Sequence, residues 1–140
     1  MGVEWHVEDN TGIFKDAFDR GVKAALHAVG QQARRNVAKV TPVGESYAAT
    51  DYSDGHIGGT LRQSITSDVR GNSVFVGSDL EYAPYVETGH KQKPGRFVPR
   101  LGKRLKAKYV APRPYLRPGI MDNLGEYKEL IERYIKENLP

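Results

Sequence analysis

The chain has 140 residues, of which 39% are hydrophobic and 9% aromatic, values that are ordinary for a soluble globular protein with a core of its own. It contains no cysteine, which excludes disulfides, thiolate metal sites and a cysteine nucleophile. No apolar run approaches the roughly 18 residues of a membrane span, and the first residues lack the pattern of a secretory signal, so we expect a protein made in a cytoplasm and no membrane partner.

The first predicted elements are a short strand and a long helix. Val3, Trp5 and Val7 alternate with polar residues, which is the period of a half-buried strand over residues 3–8. Side-chain oxygens at residues 9–11 can cap a helix, and Thr41-Pro42 ends it, because proline disfavours helical geometry at the residue before it. Steps of three and four place its apolar residues on one stripe: Phe14, Phe18, Val22, Leu26, Val29, Ala33, Val37 and Val40.

A glycine-rich loop over residues 42–60 precedes a predicted hairpin. Apolar and polar residues alternate over 61–70, and Gly71-Asn72 is a two-residue hairpin signal. With that turn, Val69 pairs with Val74 and Ser67 with Val76. One face, which the long helix would cover, then holds Ile65, Val69, Val74 and Val76.

Residues 89–118 concentrate the positive charge. They contain ten Lys and Arg and no Asp or Glu, whereas the whole chain has a net charge of only +4, so the remainder is acidic. Five prolines predict a long excursion, with a strand near residues 108–111. Such a segment can bind nucleic acid or an acidic protein face. The candidate residues facing a partner or DNA are Lys91, Lys93, Arg96, Arg100, Lys103, Arg104, Lys106 and Lys108.

After Pro118 the apolar spacing predicts a second amphipathic helix that reaches almost to the C-terminus. Pro118 suits its first turn, where the missing N–H is harmless. Residues 82–87 are expected to form one short helical turn. The predicted fold class is α+β, a small antiparallel sheet packed by two long amphipathic helices, with long loops. We expect a single domain over residues 1–140, with the basic extended loop at about 89–118.

The sequence offers little for catalysis or metal binding. Asp51, Asp54 and His56 could ligate a divalent ion, but Asp in loops rich in Ser and Gly more often bonds nearby backbone amides. Gly102-Lys103 resembles part of a phosphate-binding loop, yet the glycine spacing is wrong and Arg104 stands where Ser or Thr is needed. We therefore expect no enzyme, no catalytic residue, no metal site and no cofactor.

Four tyrosines flank or interrupt the basic segment. Tyrosine beside arginine can stack on exposed bases, or the rings can anchor a long loop onto the body with the hydroxyl in water. We favour anchoring, and stacking stays the alternative. The residues are Tyr82, Tyr85, Tyr109 and Tyr115.

Five motifs in series resemble the siphophage family of tail-completion or minor tail proteins, which join head and tail. They cover nearly the whole chain, although residues 44–58 and 90–111 are longer than the shortest members require. The motifs are Thr41-Pro42-Val43, Gly59-Thr60-Leu61-Arg62-Gln63-Ser64-Ile65, Val76-Gly77-Ser78, Tyr82-Ala83-Pro84-Tyr85-Val86-Glu87-Thr88-Gly89 and Pro112-Arg113-Pro114-Tyr115-Leu116-Arg117-Pro118.

The resemblance implies a non-enzymatic subunit of a ring, a hexamer, between the head connector and the tail tube of the virion, made in the cytoplasm of a bacterial host. Its motif residues would determine fold and interfaces, with Arg62 and Arg117 pairing with Glu87 or Glu81. Those candidates are Leu61, Arg62, Tyr82, Tyr85, Glu87, Gly89, Pro114, Tyr115 and Arg117.

Two uses of the basic segment stay open within this interpretation. It can contact duplex DNA without reading its sequence, or it can contact acidic faces of neighbouring ring proteins. The alternative from another class is a free nucleic-acid-binding protein whose basic segment is its main functional surface.

Overall fold

A computed structural model describes residues 2–44, 58–99 and 102–140. The predicted α+β class is confirmed: long helices pack beside two-stranded antiparallel sheets. In chain order the elements are α1 (Thr11–Val40), α2 (Thr60–Ser64), β1 (Thr66–Arg70), β2 (Ser73–Gly77), α3 (Ala83–Thr88), β3 (His90–Lys91), β4 (Phe97–Val98), β5 (Lys103–Arg104), β6 (Tyr109–Val110), α4 (Leu116–Met121) and α5 (Leu124–Asn138).

Helix α1 begins and ends where the sequence predicts. The Asp9 carboxylate accepts the backbone N–H of Thr11 at 3.0 Å and its hydroxyl at 2.5 Å, and these bonds hold the pKa of Asp9 below its usual value. At the other end the buried Thr41 donates its hydroxyl to the carbonyl of Val37 at 2.6 Å. Side-chain bonds at both ends therefore satisfy backbone groups that a helix terminus leaves open.

The buried face of α1 differs from the predicted stripe in its first half. Val29, Ala33 and Val37 are buried as expected, but Phe14 is 53% exposed and the core side is formed by Ala17, Gly21 and Ala25. These small residues let α5 approach closely, since a Cβ on Gly21 would lie 3.0 Å from the Ile135 Cα. The close approach of the α1 and α5 backbones therefore determines which face of α1 is buried. The predicted burial of Phe14, Phe18 and Val40 is therefore wrong.

The predicted C-terminal helix is two helices, α4 and α5, separated at Asp122 and Asn123. Pro118 lies in the first turn of α4, as predicted. Helix α4 crosses α1 so closely that a Cβ on Gly119 would lie 2.6 Å from the Val37 Cα. A short separate helix allows that crossing while α5 runs along the other part of α1.

The β1–β2 hairpin has the predicted register, with Val69 opposite Val74 and Ser67 opposite Val76. These four side chains are half-buried and alternate with exposed ones, and α1 covers their face. The first strand begins at Thr66, five residues later than predicted, because residues 60–64 form helix α2.

The first apolar residues that suggested a strand are buried by a helical turn, α2, instead. Leu61 and Ile65 are four residues apart, so one turn buries both beside Val37. Arg34 of α1 donates Nε to the Ile65 carbonyl at 3.0 Å. This bond gives a donor to the first backbone carbonyl after α2.

The predicted N-terminal strand over residues 3–8 is wrong. Val3, Trp5 and Val7 are exposed, and residues 2–8 form no backbone hydrogen bond with any other described residue. A strand needs a neighbour to pair with, and the described chain provides none beside this segment.

A buried polar network joins α1 to both C-terminal helices. Asn36 donates Nδ2 to the Tyr127 hydroxyl at 3.1 Å, and Tyr127 donates that hydroxyl to the Gly119 carbonyl at 2.8 Å. Gln32 donates to the Asn36 Oδ1 at 3.1 Å. Burial raises the pKa of Tyr127, and the negative charge of Glu126 adds to the rise. None of the helices within the described residues is long and apolar enough to cross a membrane.

Candidate interaction ribbon

The basic segment folds back on itself as one irregular antiparallel ribbon. Strands β3 and β6 pair at its base, with His90 opposite Val110, and β4 and β5 pair further along, with Phe97 opposite Arg104. Backbone bonds of 2.8–2.9 Å continue the pairing between these strands. We call residues 90–110 the basic ribbon. Its β6 strand lies within the range predicted for a strand, residues 108–111.

Most of the described residues of the basic ribbon are exposed. Seven of the eight predicted cationic residues are described and all seven are exposed, whereas Arg100 lies outside the described residues. Residues 90–110 contain no Asp or Glu. The two ion pairs found between described residues, Arg70–Asp68 and Arg133–Glu137, lie elsewhere. The ribbon therefore presents positive charge that acidic neighbours within the described chain do not neutralise.

One side of the basic ribbon forms an open concavity of about 600 Å³ lined by Lys93, Arg96, Phe97 and Arg104. The Arg104 guanidinium lies 5.9 Å from the centre of the Phe97 ring and donates Nη1 to the Gly95 carbonyl at 2.9 Å. Cations beside an aromatic ring can receive carboxylates, phosphates or another aromatic side chain. The lining lacks a carboxylate or imidazole for acid–base work.

A carboxylate fixes the base of the ribbon. Glu87 in α3 accepts three backbone N–H groups at the start of α4, from Tyr115 at 2.7 Å, Leu116 at 3.0 Å and Arg117 at 3.1 Å. A negative charge is favourable at a helix N-terminus, where those N–H groups lack partners in the helix. We call this contact the Glu87 latch; it joins the motif before the ribbon to the motif after it.

Tyr115 completes the latch from inside the core. Its side chain is 0% exposed, and its hydroxyl donates to the Ala83 carbonyl at 3.1 Å. Burial raises the pKa of this hydroxyl, and the Glu87 charge adds to the rise. The anchoring interpretation therefore describes Tyr115, while Tyr85 and Tyr109 are more than half exposed. For those two rings, stacking on bases stays the alternative to the anchoring that we predict.

Gly89, where the ribbon begins, is required for two reasons. Its φ is +74°, a conformation that side chains disfavour. A Cβ there would also lie 2.6 Å from the Val110 carbonyl oxygen and 2.9 Å from the Pro112 nitrogen. Val86 accepts the Arg113 N–H at 2.8 Å beside it. The two ends of the ribbon are thus held together by backbone contacts.

The expected pairing of Arg62 and Arg117 with Glu87 or Glu81 is wrong. Arg62 donates Nη2 to the carbonyl of Thr41, the residue that caps the C-terminal end of α1, at 3.0 Å. Arg117 meets Glu87 through its backbone N–H, and its side chain is exposed. The donors of the Glu87 latch are backbone N–H groups. Pairing oppositely charged side chains in the sequence therefore does not predict it.

The remaining predicted motif residues separate into core and surface. Leu61 is buried and Tyr82 is half-buried against the same cluster, whereas Pro114 is exposed. The possible metal ligands Asp51, Asp54 and His56 lie outside the described residues. Among the described residues, no group of three His, Asp or Glu could hold a metal ion.

An exposed apolar surface near the N-terminus was missed by the sequence interpretation. Ile13, Phe14 and Phe18 lie outward on the start of α1, and the rings of Phe14 and Phe18 stack with centroids 6.4 Å apart. The sequence does carry a signal for this surface. Ala17, Gly21 and Ala25 give α1 a second face made of small residues, on which another helix can pack closely.

Residues 7–89 match a protein family named HK97-gp10_like, described as "Bacteriophage HK97-gp10, putative tail-component". The match covers 83 of 140 residues, from before α1 to the glycine at the base of the ribbon. No curated protein and no solved structure matches the chain. The basic ribbon, α4 and α5 lie beyond the matched residues.

Proposed function

Since the chain belongs to the HK97-gp10-like family of bacteriophage tail components, we propose that it is a non-enzymatic structural subunit of a ring at the joint between head and tail. There it completes the tail and permits virion assembly. The observation that carries the proposal is the family match over α1, α2, the β1–β2 hairpin and α3. The motif series that extends through residues 112–118 supports it.

The proposed partners follow from that position: other copies of the chain in a hexameric ring, the head connector and the tail tube. The protein would be made in the cytoplasm of the bacterial host and reside in the virion. The basic ribbon is its proposed contact surface. Six copies would bring together roughly sixty positive charges from residues 89–118, enough to affect a phosphate backbone or an acidic protein face.

The chemistry of the ribbon supports a binding role without catalysis. Exposed Lys and Arg supply charge, and the acidic side chain nearest its base, Glu87, is occupied by three N–H groups of α4. The two tyrosines with raised pKa, Tyr115 and Tyr127, bond to backbone carbonyls inside the core. These groups have structural partners and stabilise the fold.

The deciding experiment is a phage in which the gene for this chain is inactivated. We expect filled heads and separate tails that fail to join, visible by electron microscopy, and rescue when the intact gene is supplied in trans. Ordinary virions from the inactivated phage would contradict the proposal. A control inactivation of the head connector should instead block packaging, which separates a joint defect from a head defect.

The free nucleic-acid-binding alternative is tested on the isolated chain with a labelled duplex. A ring subunit should bind weakly at physiological salt, whereas the alternative requires micromolar or tighter binding with a steep salt dependence. Two variants locate any binding that is found. One removes three ribbon charges, Lys103→Gln, Arg104→Gln and Lys106→Gln, and its matched control removes three exposed charges elsewhere, Lys23→Gln, Lys39→Gln and Lys128→Gln.

A further inference from the structure

Residues 2–16 are exposed without interruption, so they project from the body as an N-terminal arm and the first turns of α1. Trp5 is 88% exposed, and Val3, Val7, Ile13 and Phe14 are all more than half exposed. Residues 2–8 also form no backbone hydrogen bond with the other described residues. An apolar surface with open backbone groups is typical of a site that another chain covers.

The arm and the basic ribbon carry opposite charge. Residues 2–16 contain four acidic side chains and one basic, Lys15, while residues 90–110 contain only Lys and Arg among their charged residues. When the arm is extended, Glu4, His6 and Glu8 alternate with Val3, Trp5 and Val7. One face of the arm would therefore meet cations and the other would cover apolar surface. Each paired section of the ribbon has two strands, so such a strand would add at one of its two edges.

The arm and the ribbon leave the body at opposite ends of α1. The arm precedes Thr11, whereas the latch and Gly119 pack against Val37 near the other end. At about 1.5 Å per residue these two ends are roughly 40 Å apart. The nine described residues that precede α1, residues 2–10, span at most about 32 Å. The arm cannot reach the base of its own ribbon, so an arm that contacts this base comes from another copy.

We propose that the N-terminal arm of each copy docks on the basic ribbon of the next copy, so that acidic and apolar residues of the arm join neighbouring subunits. The contact is head-to-tail, and repeated head-to-tail contacts close into a ring when their rotation permits. This inference rests on the proposed function as a ring subunit and adds the surfaces through which subunits meet. Duplex DNA on the ribbon would leave the apolar arm uncovered.

The only tryptophan in the chain, Trp5, lies in the arm and reports directly on docking. As the concentration of the intact protein rises in low salt, we expect sedimentation velocity to show self-association and the Trp5 emission to shift to shorter wavelength. Added salt should reverse both changes, because exposed charges are screened. Association without a change in Trp5 emission, or no association at the highest soluble concentration, would overturn the proposal.

Charge reversal identifies the partner surface. Glu4→Lys/Glu8→Lys alters the arm; Lys91→Glu/Lys93→Glu and Lys106→Glu/Lys108→Glu alter the two ribbon edges. We expect the arm variant and at least one ribbon variant to associate about tenfold or more weakly, since like charges oppose contact. Combining that arm and ribbon variant in one chain should restore association to within about threefold of the original. Lys23→Glu/Lys39→Glu is the matched control and should change little.

The same variants, supplied to the inactivated phage, separate this inference from the proposed function. Failure of both single variants and rescue by their combination supports arm-to-ribbon docking. Full rescue by the arm variant, or no recovery in the combined variant, contradicts docking while the ring role stands. A ribbon variant that fails when the arm variant succeeds would show that the ribbon binds another partner, such as DNA. Normal virions without the gene would contradict the proposed function itself.

Discussion

A single carboxylate, Glu87, connects two motifs by accepting the N–H of Tyr115, which lies 28 residues further along the chain. The spacing of Glu87 and Tyr115 gave no sign of this contact, because a carboxylate that caps a distant helix leaves no periodic pattern. The sequence identified both as motif residues and paired Glu87 with arginine side chains. The physical reason for the error is that the backbone N–H groups at the start of α4 have no partners within the helix, so the nearest carboxylate satisfies them.

Replacing Glu87 tests the latch. In Glu87→Gln one oxygen becomes a donor, so whichever way the amide is turned at least one N–H of α4 loses its acceptor. We expect the free energy of unfolding to fall by about 1–3 kcal/mol, measured by urea denaturation. Glu81→Gln is the matched control, since Glu81 is exposed, and it should change stability by no more than about 0.5 kcal/mol. Equal losses in the two variants would contradict the latch.

The buried tyrosines predict how stability depends on pH. Burial raises the pKa of Tyr115 and Tyr127 in the folded state. Their contribution is therefore fully present below the unfolded tyrosine pKa of about 10 and is lost as pH rises through the folded pKa values. We expect tyrosinate absorbance to show Tyr115 and Tyr127 ionising late. Tyr127→Phe should weaken the alkaline loss of stability, whereas Tyr109→Phe, at an exposed position, should leave it unchanged.

At the scale of elements, local signals predicted α1 and the β1–β2 hairpin well. The bounds of α1 follow from Asp9, Thr41 and Pro42, and the register follows from Gly71-Asn72, all of which act over a few residues. The N-terminal strand failed because alternation describes a surface that can pair, and whether a partner exists depends on the rest of the fold.

The face of α1 could not be read from hydrophobic periodicity because glycine and alanine decide it. Gly21, Gly30 and Gly119 lie where another backbone or side chain approaches a would-be Cβ within 2.6–3.2 Å. At such positions the helices pack closely because no side chain separates them. A hydrophobicity pattern instead assigns the buried face to Phe14 and Phe18. The same error explains why the exposed apolar surface of α1 was predicted as core.

Gly119→Ala tests the α4–α1 crossing. The new methyl group would meet the backbone of Val37 at 2.6 Å, so α4 must move away from a buried helix. We expect a loss of about 1–3 kcal/mol in the free energy of unfolding. Gly125→Ala in α5 is the control, because nothing lies within 4 Å of its Cβ position, and it should stabilise by up to about 1 kcal/mol. The crossing would be contradicted if both substitutions stabilised the protein.

At the scale of the whole molecule, the described residues that form the core are separate from those of the basic ribbon. Both core clusters of the described residues draw on α1, the hairpin and the C-terminal helices, and neither includes a residue of the basic ribbon. The ribbon was predictable as a charged excursion because its charge and prolines are local properties. Its folding into paired strands depends on Gly89 and the latch bringing its ends together.

Removing the ribbon should therefore leave the body folded. In the proposed variant, an Asn-Gly turn replaces residues 91–109, joining His90 to Val110, which already face each other across the pair. We expect the same helical circular dichroism and a free energy of unfolding within about 1 kcal/mol of the intact chain, because shortening a loop has a small effect on stability. Replacing residues 67–76 of the β1–β2 hairpin by the same turn is the matched control. It removes Val74 and Val76, which pack against Val29, Ala33 and Tyr127, so that variant should lose cooperative urea unfolding. Loss of cooperativity in the ribbon variant instead would show that the ribbon helps to form the core.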